Sequence, residues 1–272
     1  MRSNAAMART MVASEMSPFE SGKARRRRTD HLGAYDCYLR GLDHWRAAGP
    51  EPESSVWFAK ALELDPDYAD PLTRLCINEA IAADSPDGFA RVLAMANKAV
   101  ALDPNNSWSH CALGVARVVN GSLAASASHF ETAMRLNPND PDLIKWCSVY
   151  HLYSGDFSTA HDMMTAAERL NPLPPPWYVN GTAAVEYGLR HYAAAAQLLE
   201  SLGNDTFYWD HCYLAACYVR LGKLSEAQQE IAKALRLKPN LTIKRLAVAE
   251  PYAKLADLEH LLDPLRKAGL PE

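Results

Sequence analysis

One phrase recurs along this chain and limits what it can fold into. It reads ALELDP ending at Pro66, AVALDP at Pro104, AMRLNP at Pro138, AERLNP at Pro172 and ALRLKP at Pro239. The intervals are 38, 34, 34 and 67 residues, the last being nearly two units with one proline lost. Apolar residues at helical spacing fill the stretches between, as pairs of amphipathic helices require. A glycine divides each pair at Gly121, Gly155 and Gly222, where a positive φ can end a helix. The proline stops the second helix and lets the next pair begin. A unit of this kind cannot bury its own apolar face, so neighbouring units must stack.

With the proline set at position 32, position 27 is Ala61, Ala99, Ala133, Ala167 and Ala234, small enough for close helix approach. Position 24 takes Phe58, Phe130, Met164 and Ile231, and position 20 takes Ala160 and Ala227. A 34-residue helix–turn–helix with this pattern resembles the tetratricopeptide repeat. The resemblance covers about 34–240 and implies an all-α, right-handed superhelix, a solenoid of about six helix–turn–helix units. Departures are about four extra residues around 83–88, a proline corner at LPPPW (173–177), and a fifth unit whose second helix (192–202) ends at Gly203-Asn204 without the proline. The predicted organisation is a disordered basic segment over 1–30, repeats over 31–240 and a C-terminal capping segment over 241–272. A helix is expected near 255–267, with Pro264 an awkward residue inside it.

The formal charge is −4, unevenly spread: residues 1–30 carry seven basic and three acidic groups, and the rest 21 and 29. An acidic body argues against specific nucleic-acid binding, which needs clustered Lys and Arg. KARRRR (23–28) is the one strong basic run and reads as a solvated linker. No stretch is long and apolar enough for membrane insertion. The N-terminal residues lack a secretory apolar core. The six cysteines form no CxxC pair and sit mostly among apolar residues, which points to free thiols in a reducing, cytoplasmic setting.

No catalytic constellation emerges, and no cofactor or metal is expected. The chain has no GxxxxGK[ST] loop, GxSxG elbow or HExxH motif. His110 and His211 fall where a repeat packs an aromatic side chain. Cys212 and Cys217 point about 140° apart on a helix, unsuited to a shared metal or a disulfide. Asp140 and Asp142 open a repeat, where Asp caps a helix and complements its dipole.

Function is therefore expected on the concave surface. The resemblance implies that positions 2, 5, 9, 12 and 13 of each first helix face it. These are Tyr35, Tyr38, Leu42, Trp45 and Arg46 in the first unit, and Trp108, Cys111, Val115, Val118 and Val119 in the third. They are Asp142, Lys145, Val149, Leu152 and Tyr153 in the fourth, and Trp209, Cys212, Ala216, Val219 and Arg220 in the sixth. Tyr178 joins them from the fifth. The candidate partner-binding residues are Tyr35, Tyr38, Trp45, Arg46, Trp108, Lys145, Tyr153, Tyr178, Trp209 and Arg220. Aromatics and Arg are enriched at binding hot spots, and an apolar helix or peptide is the expected partner. The carboxylate clamp of chaperone-binding repeats is absent, because Val149 stands where its first Asn belongs. Self-association is the other partner mode considered.

RRRRTDHLGAYDCYLRGLDHW (25–45) and DLEHLLDPLRKAGLPE (257–272) carry a further likeness. They resemble the C-terminal repeat region of bacterial class III adenylate cyclases of rhizobial type. The resemblance implies a setting in cyclic-nucleotide signalling. The metal-binding Asp pair, the purine-selecting side chains and the transition-state Asn/Arg pair of those enzymes have no counterpart here. The expectation is a non-enzymatic interaction scaffold. The alternative is the regulatory region of a truncated or mis-started cyclase.

Overall fold

The prolines do their predicted work. In the computed structural model, which describes residues 31–272 except 84, 204 and 205, the residue before each repeated proline is extended, with φ between −125° and −146°. That is the conformation proline imposes on its predecessor, and the second helix stops there. Two residues after Pro104 and Pro138 the next helix is capped. Asn106 Oδ1 accepts from the Trp108 and Ser109 amides, and Asp140 Oδ1 from the Asp142 and Leu143 amides. The basic run 23–28 and the rest of segment 1–30 lie outside the described residues.

The described residues form fourteen α-helices and no strand. Twelve make six antiparallel pairs: α1 (Leu32–Ala48) with α2 (Pro52–Leu64), α3 (Ala69–Ala82) with α4 (Pro86–Leu102), and α5 (Ser107–Val119) with α6 (Leu123–Leu136). They continue as α7 (Pro141–Ser154) with α8 (Phe157–Leu170), α9 (Trp177–Gly188) with α10 (Tyr192–Glu200), and α11 (Tyr208–Arg220) with α12 (Leu224–Leu237). The result is an all-α superhelical array. First helices form the inner layer and are largely buried, while most second helices bury only a narrow stripe. That stripe is positions 20, 24 and 27: Ser54, Phe58 and Ala61 in α2, Ser126, Phe130 and Ala133 in α6, and Ala160, Met164 and Ala167 in α8.

The small residues let a large one reach across. A Cβ built on Gly114 of α5 would lie 2.6 Å from the Phe130 ring, and one on Gly41 of α1 would meet Phe58 in the same way. These two pairs thus close on a ring seated against a bare backbone. The turn glycines Gly121, Gly155 and Gly222 hold φ of +71°, +76° and +77°. In the fifth pair Arg190 takes that place with φ +67°. The extra residues near 83–88 lengthen the following helix: α4 has 17 residues against 13 in α2, and is capped by Ser85, whose hydroxyl accepts from the Gly88 amide.

The C-terminal segment turns back along the inner layer. After α12 the chain forms α13 (Ile243–Ala249) and α14 (Leu255–Lys267). The helix expected near 255–267 packs on α11 rather than continuing the stack on α12. Its His260 carbonyl accepts from Tyr187 Oη at 2.7 Å and Arg220 Nη2 at 2.8 Å. Pro264 is buried near its end, and Pro271 accepts from the Ile243 amide at 2.7 Å.

Two substitutions test this packing. Gly114→Val should lower unfolding free energy by about 1–3 kcal/mol, because the added methyls overpack the Phe130 site. Adding Phe130→Leu should recover part of that loss in urea denaturation. Arg190→Gly should stabilise by about 1 kcal/mol, relieving a left-handed backbone that an L side chain disfavours.

Candidate functional site

The inner wall is built by the first helices, and its tryptophans meet one another. Trp45 of α1 packs edge-on against Trp108 of α5 at 5.6 Å between ring centres and against Trp177 of α9 at 5.1 Å. Trp146 of α7 stacks on Trp177 at 6.3 Å. The first pair therefore touches the fifth across the superhelix, and Gly49, just after α1, lies against the Trp177 side chain. Arg74 of α3 lies over the Trp108 ring at 3.2 Å and the Trp45 ring at 4.5 Å. Trp45 Nε1 donates to Asn78 Oδ1 at 3.1 Å, and Trp108 Nε1 to Asp140 Oδ2 at 2.9 Å.

This rearranges the residues read from sequence. Trp45, Trp108 and Tyr178 are buried within the aromatic cluster rather than displayed. Tyr38 is half-buried against Phe58 and Tyr68. Tyr35 is half-buried and Arg46 exposed on α1; neither lines the cavity described next. Arg220 is engaged by α14 through the His260 carbonyl and ring. Lys145, Tyr153 and Trp209 are the three brought together on one cavity. The aligned positions Val115, Val118, Val119, Val149 and Leu152 line it with them.

That cavity has a volume of about 610 Å³. The tryptophan cluster bounds it on one side through Trp146 and Trp177, and the returning C-terminal segment bounds it on the other through Leu246, Val248 and Glu250. Ile81, Phe207 and Val248 are exposed apolar side chains along its lining. Its size and largely apolar wall with few polar groups are those of a binding pocket.

Two buried ionisable groups face it. Lys145, 5% exposed, donates to the Tyr178 carbonyl and lies 4.7 Å from the Tyr178 ring centre. Burial lowers its amine to about 7, against the opposing pull of Glu168 and Asp142. Glu250, 1% exposed, accepts from Trp209 Nε1 and from Tyr213 Oη at 3.0 Å. Burial pushes it up to about 7, although those donors favour the carboxylate. Tyr252 packs edge-on against Tyr153 at 5.2 Å, its hydroxyl 3.0 Å from that of Tyr213. The Ala253 amide donates to the Tyr153 carbonyl at 2.8 Å.

The other candidates have structural partners. His211 Nδ1 lies 2.7 Å from Glu230, and His110 stacks on His129. Asp142 accepts from the Tyr178 hydroxyl, and Asp140 both caps α7 and receives Trp108. Among the described residues no three His, Cys, Asp or Glu side chains are grouped to hold a metal, and no helix is long and apolar enough to cross a membrane. Sequence reasoning missed Trp146, Trp177, Glu250 and Tyr252 as wall residues. Trp177 carried a signal in the proline corner that places it at a helix start. The other three become neighbours of the groove only through the superhelical closure and the returning tail.

Comparison with known proteins agrees with this fold. The tetratricopeptide-repeat family model matches residues 212–241. Superkiller complex protein 3 of Mus musculus is 25% identical over 198 residues, 72% of this chain but 12% of its own length. The chain thus spans about an eighth of that curated relative. Among solved structures, the APC/C hetero-tetramer Cut9-Hcn1 superposes with a TM-score of 0.56 at 16% identity, over 82% of this chain and 47% of the other. The human IFIT1 dimer with PPP-AAAA gives 0.56 at 18% identity, over 69% and 46%. These two likenesses are of fold. The chain folds as a tetratricopeptide-repeat protein, with its inner wall drawn in around a cavity.

The two buried groups predict opposite pH trends. Between pH 4.5 and about 7 the folded chain keeps a proton on Glu250 that the unfolded chain has lost, so stability falls as pH rises. Between about 7 and 10.5 the unfolded chain keeps a proton that Lys145 has lost, so stability rises with pH. In melting temperatures measured against pH, Glu250→Gln should flatten the first trend and Lys145→Met the second.

Proposed function

We propose that this protein is a non-enzymatic interaction scaffold that holds a partner polypeptide segment against its concave face. The observation that supports this reading is the open apolar cavity in the inner wall, with Ile81, Phe207 and Val248 exposed along it. A peptide or helix laid there would insert bulky apolar side chains beside Val149, Tyr153 and Trp209, burying surface that water now covers. Lys145 would orient an acidic or polar group of the partner. Of the other two basic groups among the sequence candidates, Arg220 is held by α14 and Arg46 lies away from the cavity. The test is Phe207→Asp combined with Val248→Asp, compared with the unaltered chain in affinity capture with mass-spectrometric identification. Partners enriched on the unaltered chain should fall at least about tenfold on the variant, with helicity unchanged. Equal capture would move the site to the convex face or to self-association, which light scattering over a concentration series would reveal.

A cytoplasmic setting in bacterial cyclic-nucleotide signalling is the finer part of the proposal. Its support is the likeness of AYDCYLRG and LRKAGLPE to the repeat regions of class III cyclases. The competing reading is that the chain is the regulatory part of such a cyclase. Purified protein incubated with ATP and Mg²⁺ or Mn²⁺ should form no cyclic AMP. Product formation that persists through repurification would overturn the non-enzymatic assignment, and a cyclase domain encoded in frame upstream would favour the competing reading.

A further inference from the structure

The same cavity holds hydrogen-bonding capacity that the fold does not use. Trp177, 8% exposed, lines it with a buried indole N–H that has no acceptor among the described residues. Lys145 Nζ lies 6.0 Å from the Trp177 ring centre and, among the described residues, has the Tyr178 carbonyl and the Met164 sulfur as its hydrogen-bond partners. The nearby acids are committed elsewhere: Asp142 accepts from Tyr178, and Glu168 from Thr182 at 3.3 Å. Gly181 lets the amine and the Met164 methyl pack close to its backbone, since a Cβ there would come 3.2 Å from Nζ and 3.0 Å from Met164 Cε. Lys238, Lys244 and Arg245 line the same cavity. Among the described residues its one lining carboxylate, Glu250, already accepts from Trp209 and Tyr213. Among the described residues the lining is therefore apolar in area and cationic in charge.

We propose that the cavity binds a small amphiphilic acid, with an apolar body among Val149, Tyr153 and the tryptophans and a carboxylate accepting from Lys145 Nζ and Trp177 Nε1. A charge-assisted hydrogen bond to a buried amine is among the stronger polar contacts available, and it gives Lys145 a carboxylate in direct contact, closer than Glu168 and Asp142. The volume lies within the range of small-molecule pockets. Binding of the acid stands apart from the partner reading. Because the two would occupy the same wall, a bound acid would exclude an inserted partner side chain.

The experiment titrates the full chain with decanoate, decanol and decylamine, each below its micelle concentration, by calorimetry and tryptophan emission. Decanoate should bind saturably and at least about tenfold more tightly than the other two. Lys145→Met should remove that preference while leaving decanol binding intact. Val149→Trp, which fills the cavity, should abolish binding of all three with helicity retained. Absence of saturable decanoate binding to the unaltered chain would overturn the proposal. Equal affinity for decanol or decylamine would overturn it too, and neither comparison requires a variant to fold. Such a failure would leave partner capture by the Phe207 and Val248 surface untouched, so the two readings fail separately.

Discussion

The contact between Trp45 and Trp177 governs the character of the inner wall. An edge-on pair of indoles is worth about 0.5–1.5 kcal/mol beyond the area it buries. This one joins the first helical pair to the fifth, with three pairs between them in sequence. An open solenoid spreads its inner aromatics along a groove. Here the curvature brings Trp45, Trp108, Trp146 and Trp177 together, and the groove becomes a cavity bounded by rings. Arg74, buried over the Trp45 and Trp108 rings, adds a cation–π contact to the same cluster.

The C-terminal segment closes the other side. Glu250 is driven into the wall by two donors, Trp209 and Tyr213, and Tyr252 follows it between Tyr153 and Tyr213. His260 then ties α14 to Tyr187, Tyr192 and Arg220, with burial and the Arg220 charge lowering its imidazole to about 4. A neutral ring is what that arrangement requires beside a guanidinium. The segment covers the inner edge of the array, and in doing so it supplies Leu246, Val248 and Glu250 to the cavity.

The repeat units were legible in the sequence because their determinants are local. A proline, a turn glycine and three small or large residues at fixed spacing define each pair, and all act within one unit. Even the fifth unit, which lacks its proline, keeps the spacing through Ala195 and Leu199. The phrases AYDCYLRG and LRKAGLPE also have local structural reasons. Gly41 admits Phe58, and Gly269 at φ +94° turns the chain so that Leu270 is buried. The candidate site was less legible because its shape depends on curvature summed over five pairs. Small rotations between units decide whether Trp45 faces a partner or faces Trp177, and no single unit encodes them. The same holds for Glu250, an acid in an apolar tail whose burial follows from where Trp209 and Tyr213 point.

A double-mutant cycle on Trp45→Leu and Trp177→Leu tests the closure most directly. Residues so far apart in an open solenoid would act independently. The closed wall predicts a coupling of about 0.5–1.5 kcal/mol in unfolding free energy. Additive effects, with coupling near zero, would show that the first and fifth pairs do not meet and that the cavity does not exist in solution.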